Sequence, residues 1–178
     1  MQEGEGGSVY LRLSTRPIDQ PARKLDEKAV IEGGYWLVEP AADAELAVVV
    51  CGALAPEAIA AHEALREDMS GCGLLVVTSS DRLHTGWLRS RQARASGERD
   101  TRSRAERLLG SLPSGARLVT VADAHPATLA WLGGVAGHRV TALGVDSFGQ
   151  SGDIPDLYRT YGLDTEAIID AAARALLD

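Results

Sequence analysis

Four short apolar runs constrain this chain more than any other feature. They are "AVVVC" from Ala47, "GLLVVTSSD" (Gly73 to Asp81), "ARLVTVAD" (Ala116 to Asp123) and "HRVTALGVD" (His138 to Asp146). Aliphatic runs of this length with no polar alternation leave no face for solvent, so they read as strands covered on both sides. Helical patterns lie between them. Gly52 ends the first run, Pro56 follows, and Ile59, His62, Leu65 and Met69 recur at helical spacing. The polar end Thr78-Ser79-Ser80-Asp81 caps a helix carrying Leu83, Trp87 and Leu88. Pro126 opens a helix in "HPATLAWLGG", and Gly133 with Gly134 closes it. Buried strands alternating with helices require a mainly parallel sheet with helices on both faces.

The flanks extend this pattern. "SVYLRLS" (Ser8 to Ser14) alternates Val9, Leu11 and Leu13 with Tyr10 and Arg12, the period of a strand with unlike faces. Pro17 and Pro21 interrupt the chain, the charged "ARKLDEK" reads as a solvated connection, and "GGYWLVEP" (Gly33 to Pro40) is a second strand between breakers, an edge or hairpin-like element. Near the C-terminus, Pro155 starts a helix with Leu157, Tyr158 and Tyr161, and Gly162 suits its left-handed end. Asp164 or Thr165 then caps "EAIIDAAARALL", whose Ile168, Ala171, Ala172 and Leu176 form one apolar stripe. The expected fold is α/β: a three-layer αβα domain with a mostly parallel mixed sheet, spanning 8–178 behind a flexible Gly- and Glu-rich segment, 1–7. The 178 residues, 45% of them hydrophobic and only 4% aromatic, suit one core of small side chains.

Charge and composition exclude several roles. A formal net charge of -7 opposes general affinity for nucleic acid or anionic membranes. No apolar stretch reaches the length of a membrane-spanning helix and no signal core opens the chain, so a cytoplasmic location is expected. Cys51 and Cys72 lack Cys-x-x-Cys spacing and read as buried fillers. His62, His84, His125 and His138 show no metal-ligand pattern, and His62 reads as a boundary residue. The stretch Arg82 to Arg107 holds eight of the eighteen basic residues, interrupted by Glu98, Asp100 and Glu106, and reads as a solvated helix with a long exposed loop.

Ligands of such sheets bind beyond the carboxyl ends of the strands, which brings forward Gly52, the Ser79-Ser80-Asp81 run, Asp123 with His125 and the loop Asp146 to Gly152; of these, Ser79, Asp81, Asp123, Ser147, Gly149, Ser151 and Gly152 are the candidate ligand or interdomain contacts, and Gly52 serves the turn. Ser79, Asp123 and His125 occur in an order that a hydrolytic triad permits, but no Gly-x-Ser-x-Gly elbow surrounds a serine. The turn after "AVVVC" has neither a dinucleotide nor a Walker signature. In "GVDSFGQSG" the small residues permit tight turns, Phe148 can pack, and Ser151 or Asp153 can cap the next helix. No catalytic, cofactor-binding or metal-binding residue is assigned.

The order "VYLRLS", "GGYWLVE", "ADAELAVVVCGALAPEAIAAHEAL" and "ALGVDSFGQSGDIPDLYRTYGLDTEAIIDAA" resembles the C-terminal domain of the transketolase family of thiamine-diphosphate enzymes. "VVTSSDRL" and "LGVDSFGQSG" look closer to the single-chain first component of 2-oxo acid dehydrogenases, of pyruvate type, than to sugar transketolases. The resemblance lapses between Thr78 and Ser114. It implies a parent enzyme that uses thiamine diphosphate and Mg²⁺ through a Gly-Asp-Gly site with a downstream Asn, where this chain offers only Gly152-Asp153-Ile154. It therefore implies a non-catalytic assembly domain, inactive alone, partnered by the N-terminal and middle domains of the parent, forming a homodimer and joining other components of a dehydrogenase complex. The alternatives are the C-terminal domain of a sugar transketolase and a stand-alone regulatory small-ligand-binding module.

Overall fold

A computed structural model of the chain describes residues 14, 16–18, 25–69 and 71–177. The predicted segment 1–7 and most of the predicted strand Ser8 to Ser14 lie outside the described residues. A short helix, α1 (Glu27–Ile31), is capped by Asp26, whose Oδ1 accepts from the Lys28 and Ala29 amides. It leads into β1 (Gly34–Val38). The chain continues through β2 (Leu46–Cys51), a 3₁₀ turn at Gly52–Leu54, α2 (Ala55–Asp68), β3 (Gly73–Val77) and α3 (Ser80–Ala95). It then forms α4 (Arg104–Leu109), β4 (Arg117–Ala122), α5 (Ala127–Ala130), α6 (Gly133–Ala136), β5 (Val140–Leu143), α7 (Ile154–Tyr161) and α8 (Thr165–Leu177).

The five strands lie in the order β1-β3-β2-β4-β5, with β1 antiparallel to β3 and the other pairs parallel. Side chains on successive residues leave opposite faces of a strand, and here both sets are apolar. Leu46, Val48 and Val50 meet α2, α7 and α8 through Leu54, Ala58, Tyr158, Ile168 and Ala172. Ala47 and Val49 meet the other helical layer through Leu83, Leu108, Leu109 and Leu129. Every residue from Leu46 to Val50 is at most 1% exposed. Burying a valine or leucine side chain contributes roughly 1.5–3 kcal/mol, so this strand anchors both cores. The expected three-layer mixed sheet is therefore present, and "GGYWLVEP" forms one of its two edge strands.

Three local expectations are corrected. The region after Thr78 is not mainly loop: α3 continues to Ala95, and α4 follows through a capping box in which Ser103 and Glu106 bond to each other's backbone amides. Gly133 does not end a helix but begins α6, and a glycine is required there because a Cβ would lie 2.7 Å from Val140 Cγ2 and 2.8 Å from the His138 carbonyl. The α6 helix ends at Gly137, φ +80°. His62 is not at a boundary; it is 2% exposed, with its Nε2 2.9 Å from the Cys72 carbonyl that it donates to. Cys72 is buried and Cys51 half-buried, both as free thiols.

Glu106 ties α3 to α4. Its Oε1 accepts from Arg94 at 2.6 Å, and its Oε2 accepts from the Ser103 amide at 2.7 Å, the Ser90 hydroxyl at 2.7 Å and the Ser103 hydroxyl at 2.8 Å. Burial alone would raise this carboxyl, but the hydrogen bonds from Arg94, Ser103 and Ser90 outweigh it and hold it at about 2. A depressed carboxyl stabilises the fold above its unfolded value and loses that contribution as pH falls towards the folded value. Glu106→Gln should therefore cost about 2 kcal/mol in urea unfolding at neutral pH. The difference should shrink as pH drops from 4.5 towards 2. A penalty that does not change with pH contradicts this assignment.

Candidate functional site

Chain connections leave β2 in one direction to β3 and return past it to β4, so the sheet's topological switch lies between β2 and β4. Their carboxyl ends border a crevice of about 290 Å³ lined by Cys51, Gly52, Asp123, Thr128 and Ser14. Gly52 takes φ +78°, which turns the backbone from β2 towards α2. Burial pushes the Cys51 thiol up, so it stays protonated rather than poised for attack.

A charged cluster occupies the same end of the sheet. The Arg16 guanidinium pairs with the Glu57 carboxylate near the start of α2 and sits 5.7 Å from the Tyr158 ring centroid. The Glu57 hydrogen bond raises Arg16 above its ordinary value. Tyr158 is also raised, first by burial and then by the negative charges of Asp123 and Glu57, against the lowering hydrogen bond of Arg16. The starts of α2, α7 and α8 surround a cavity of about 710 Å³ beside this cluster. Arg16, Glu57 and Tyr158 escaped the sequence reading because their positions look ordinary: a residue before a proline, an acidic first turn, and an apolar helix stripe.

The predicted site residues are spread along the sheet. Ser79 and Asp81 follow β3, Asp123 follows β4, and the loop from Ser147 follows β5. Neighbouring strands are about 4.8 Å apart, so Ser79 lies on the order of 10 Å from Asp123 and farther from Ser147. Ser79 holds the N-cap position of α3, yet its hydroxyl caps no amide; it donates to Asp81 Oδ1 at 2.6 Å. That bond holds the Asp81 carboxyl below its usual range. His125 Nδ1 accepts from the Ala127 amide at 3.2 Å. Ser79, Asp123 and His125 therefore form no triad. Of these three, Asp123 alone lines the switch crevice.

The loop after β5 also departs from expectation. Phe148 is 98% exposed and packs on none of the described residues. Ser147, Gly149, Ser151 and Gly152 are exposed, and neither Gly149 nor Gly152 needs a positive φ. The glycine required by close packing is Gly144, where a Cβ would lie 2.5 Å from the Ala124 carbonyl. Tyr161 fixes the loop: its hydroxyl donates to the Phe148 carbonyl at 3.2 Å and accepts from the Gln150 amide at 3.1 Å. A cavity of about 330 Å³ lies behind it, bordered by Ser147, Gln150, Pro126 and Tyr161. Asp153, not Ser151, caps α7 by accepting from the Asp156 amide at 3.0 Å.

Residues 33–164 match the family model described as the transketolase-like TK C-terminal domain. The chain belongs to this family. A comparison with curated protein sequences gives no match. Among solved structures, this transketolase-like domain is similar to transketolase from Leishmania mexicana, with TM-score 0.60 and 18% identity over 83% of this chain and 18% of that one. Transketolase from Pichia stipitis in complex with sedoheptulose-7-phosphate gives TM-score 0.58 and 21% identity over 84% of this chain and 19% of that one. A split-gene transketolase described as an inactive β4 tetramer gives TM-score 0.54 and 19% identity over 82% of this chain and 43% of that one. The domain thus spans about a fifth of the length of the first two.

The described residues do not fit a thiamine diphosphate and Mg²⁺ site. In Gly152-Asp153-Ile154 the aspartate is the α7 cap, and the described residues contain no grouping of three or more His, Cys, Asp or Glu side chains that could hold a metal. No helix among the described residues is long and apolar enough to cross a membrane. The Ser79 hydroxyl is engaged locally, in its hydrogen bond to Asp81. In Ser79→Ala, the Asp81 carboxyl should titrate closer to its ordinary value by NMR, with the fold intact. An unmoved Asp81 titration contradicts the bond.

Proposed function

We propose that the chain is the non-catalytic assembly domain, 8–178, of a cytoplasmic thiamine-diphosphate-dependent enzyme, with the coenzyme held by N-terminal and middle domains that partner it in a homodimer. The observation that carries this reading is the local use of the strand-end groups. Ser79 bonds Asp81, His125 bonds the Ala127 amide, and Asp153 and Asp164 cap α7 and α8. These are the side chains that a catalytic centre at this end of the sheet would draw on.

The solved relatives favour a sugar transketolase as the parent over a pyruvate-type 2-oxo acid dehydrogenase. One of them carries a ketose phosphate and all three are described as transketolases. Calorimetry of the chain with thiamine diphosphate and Mg²⁺ should show no saturable heat. Reconstitution with the coenzyme-binding domains should restore turnover of ketose phosphates rather than of pyruvate. Saturable coenzyme binding by the chain alone contradicts the assembly reading, and pyruvate turnover contradicts the choice of parent.

A further inference from the structure

The solvent face of α3 is a second feature with its own chemistry. Its inner side carries the buried Leu83 and Ser90, and Arg94 joins Ser90 in bonding Glu106. At 3.6 residues per turn, Thr85, Leu88, Gln92 and Ala95 fall along one line on the opposite side. All four are exposed, Leu88 by 41%. Steps of three, four and three residues are the spacing of a seam on which a second helix packs. The same periodicity sets Arg82 and Arg89 along one flank of this seam and His84 and Arg91 along the other.

Positive charge is concentrated here. Between 82 and 107 eight arginines stand against three acidic residues, whereas the rest of the chain holds ten basic and twenty-two acidic residues. Several of these arginines are engaged. Arg94 pairs with Glu106, Arg104 binds the Gly34 carbonyl and lies 3.6 Å from Glu32, and Arg82 and Arg107 donate to the Ile31 and Arg102 carbonyls. Arg89 and Arg91, one on each flank, have no carboxylate within ion-pair distance among the described residues. Arg91 is held in place, since its guanidinium lies 5.1 Å from the Trp87 ring centroid and Trp87 stacks on Trp131 with centroids 5.6 Å apart. Contact with a ring face leaves guanidinium N-H groups for a carboxylate.

We infer that this face of α3 docks a helix of a partner protein that carries carboxylates on both sides of a small or apolar seam. Leu88 is the central seam contact, and Arg89 and Arg91 meet the two rows of carboxylates. Charges that flank such a seam set the choice of partner more than they add affinity. A convex helix surface gives a small anion no enclosure, and the acidic remainder of the chain repels a nucleic acid. A second copy of this chain fits less well. Two α3 helices would set arginine against arginine, and α3 against the exposed Glu63 and Glu67 of another copy's α2 makes a head-to-tail contact that does not close. This inference is independent of the assembly reading.

The test uses the whole chain and two fluorescein-labelled helical peptides, three repeats of Glu-Ile-Ala-Ala-Leu-Glu-Lys and three of the charge-reversed Lys-Ile-Ala-Ala-Leu-Lys-Glu. The acidic peptide should bind saturably, at least tenfold more tightly than the basic one by anisotropy, shift the Leu88 and Gln92 amide resonances, and weaken as salt rises. Leu88→Asp, at an exposed position, should reduce its binding at least tenfold. Arg89→Glu, which breaks no contact among the described residues, should reduce the preference between the peptides at least threefold, and adding Arg91→Glu should reverse it. Absence of saturable binding by the acidic peptide, equal binding of both peptides, an unchanged preference in Arg89→Glu, or shifts confined to other elements would overturn the proposal. Tighter binding of an oligothymidylate than of the acidic peptide would overturn the class of partner, as would self-association by sedimentation that Leu88→Asp abolishes. None of these readouts involves the coenzyme, so failure here leaves the assembly reading standing, and the converse holds.

Discussion

Removal of β2 from solvent on both faces is the constraint from which the rest of the structure follows. A strand with five consecutive residues at most 1% exposed cannot stand at an edge, and it cannot leave one face of the sheet bare. It takes β3 and β4 as parallel neighbours, and parallel neighbours require crossovers long enough to hold helices. The crossovers cover the two faces with α2 on one side and α3 with α4 on the other. The C-terminal α8 completes the first layer through Ile168, Ala171 and Ala172. One strand therefore dictates the layer count, the switch point and the end of the sheet where polar turns collect.

That end carries polar side chains because strands there must turn into helices, and helix starts leave backbone amides unbonded. Asp153 and Asp164 answer that need directly. Ser80 answers a different one: its hydroxyl donates to the Thr128 carbonyl at 2.6 Å and accepts from Trp131 Nε1 at 3.2 Å, joining α3 to α5 across the sheet end. A concentration of Ser, Asp and His at strand ends thus has a structural origin before any catalytic one. The cluster of Arg16, Glu57 and Tyr158 fits the same account, since it joins the segment before α1 to the layer formed by α2 and α7.

The layered fold was legible in the sequence wherever a signal was local. The buried runs, the Pro56 and Pro155 helix starts, the left-handed Gly162 and the Asp164 cap all depend on neighbours within a few residues. α4 had such a signal too, the Ser103-x-x-Glu106 capping box, but it is surrounded by arginines whose composition suggests a loop. What could not be read depends on distant partners. His62 is buried only because the Cys72 carbonyl comes to meet it, and Gly133 is required only because β5 passes beside it. The Arg16 and Glu57 pairing spans separate parts of the chain, and Phe148 is exposed because no described element reaches it.

If one doubly buried strand joins both cores, the two helical layers cannot separate at low free energy. Native-state hydrogen exchange across a urea series tests this most directly. The amides of Val48, Val49 and Val119 should exchange only through global unfolding, with the same urea dependence as the whole domain. Exchange of these amides through a cheaper opening in which either helical layer leaves the sheet would contradict the account.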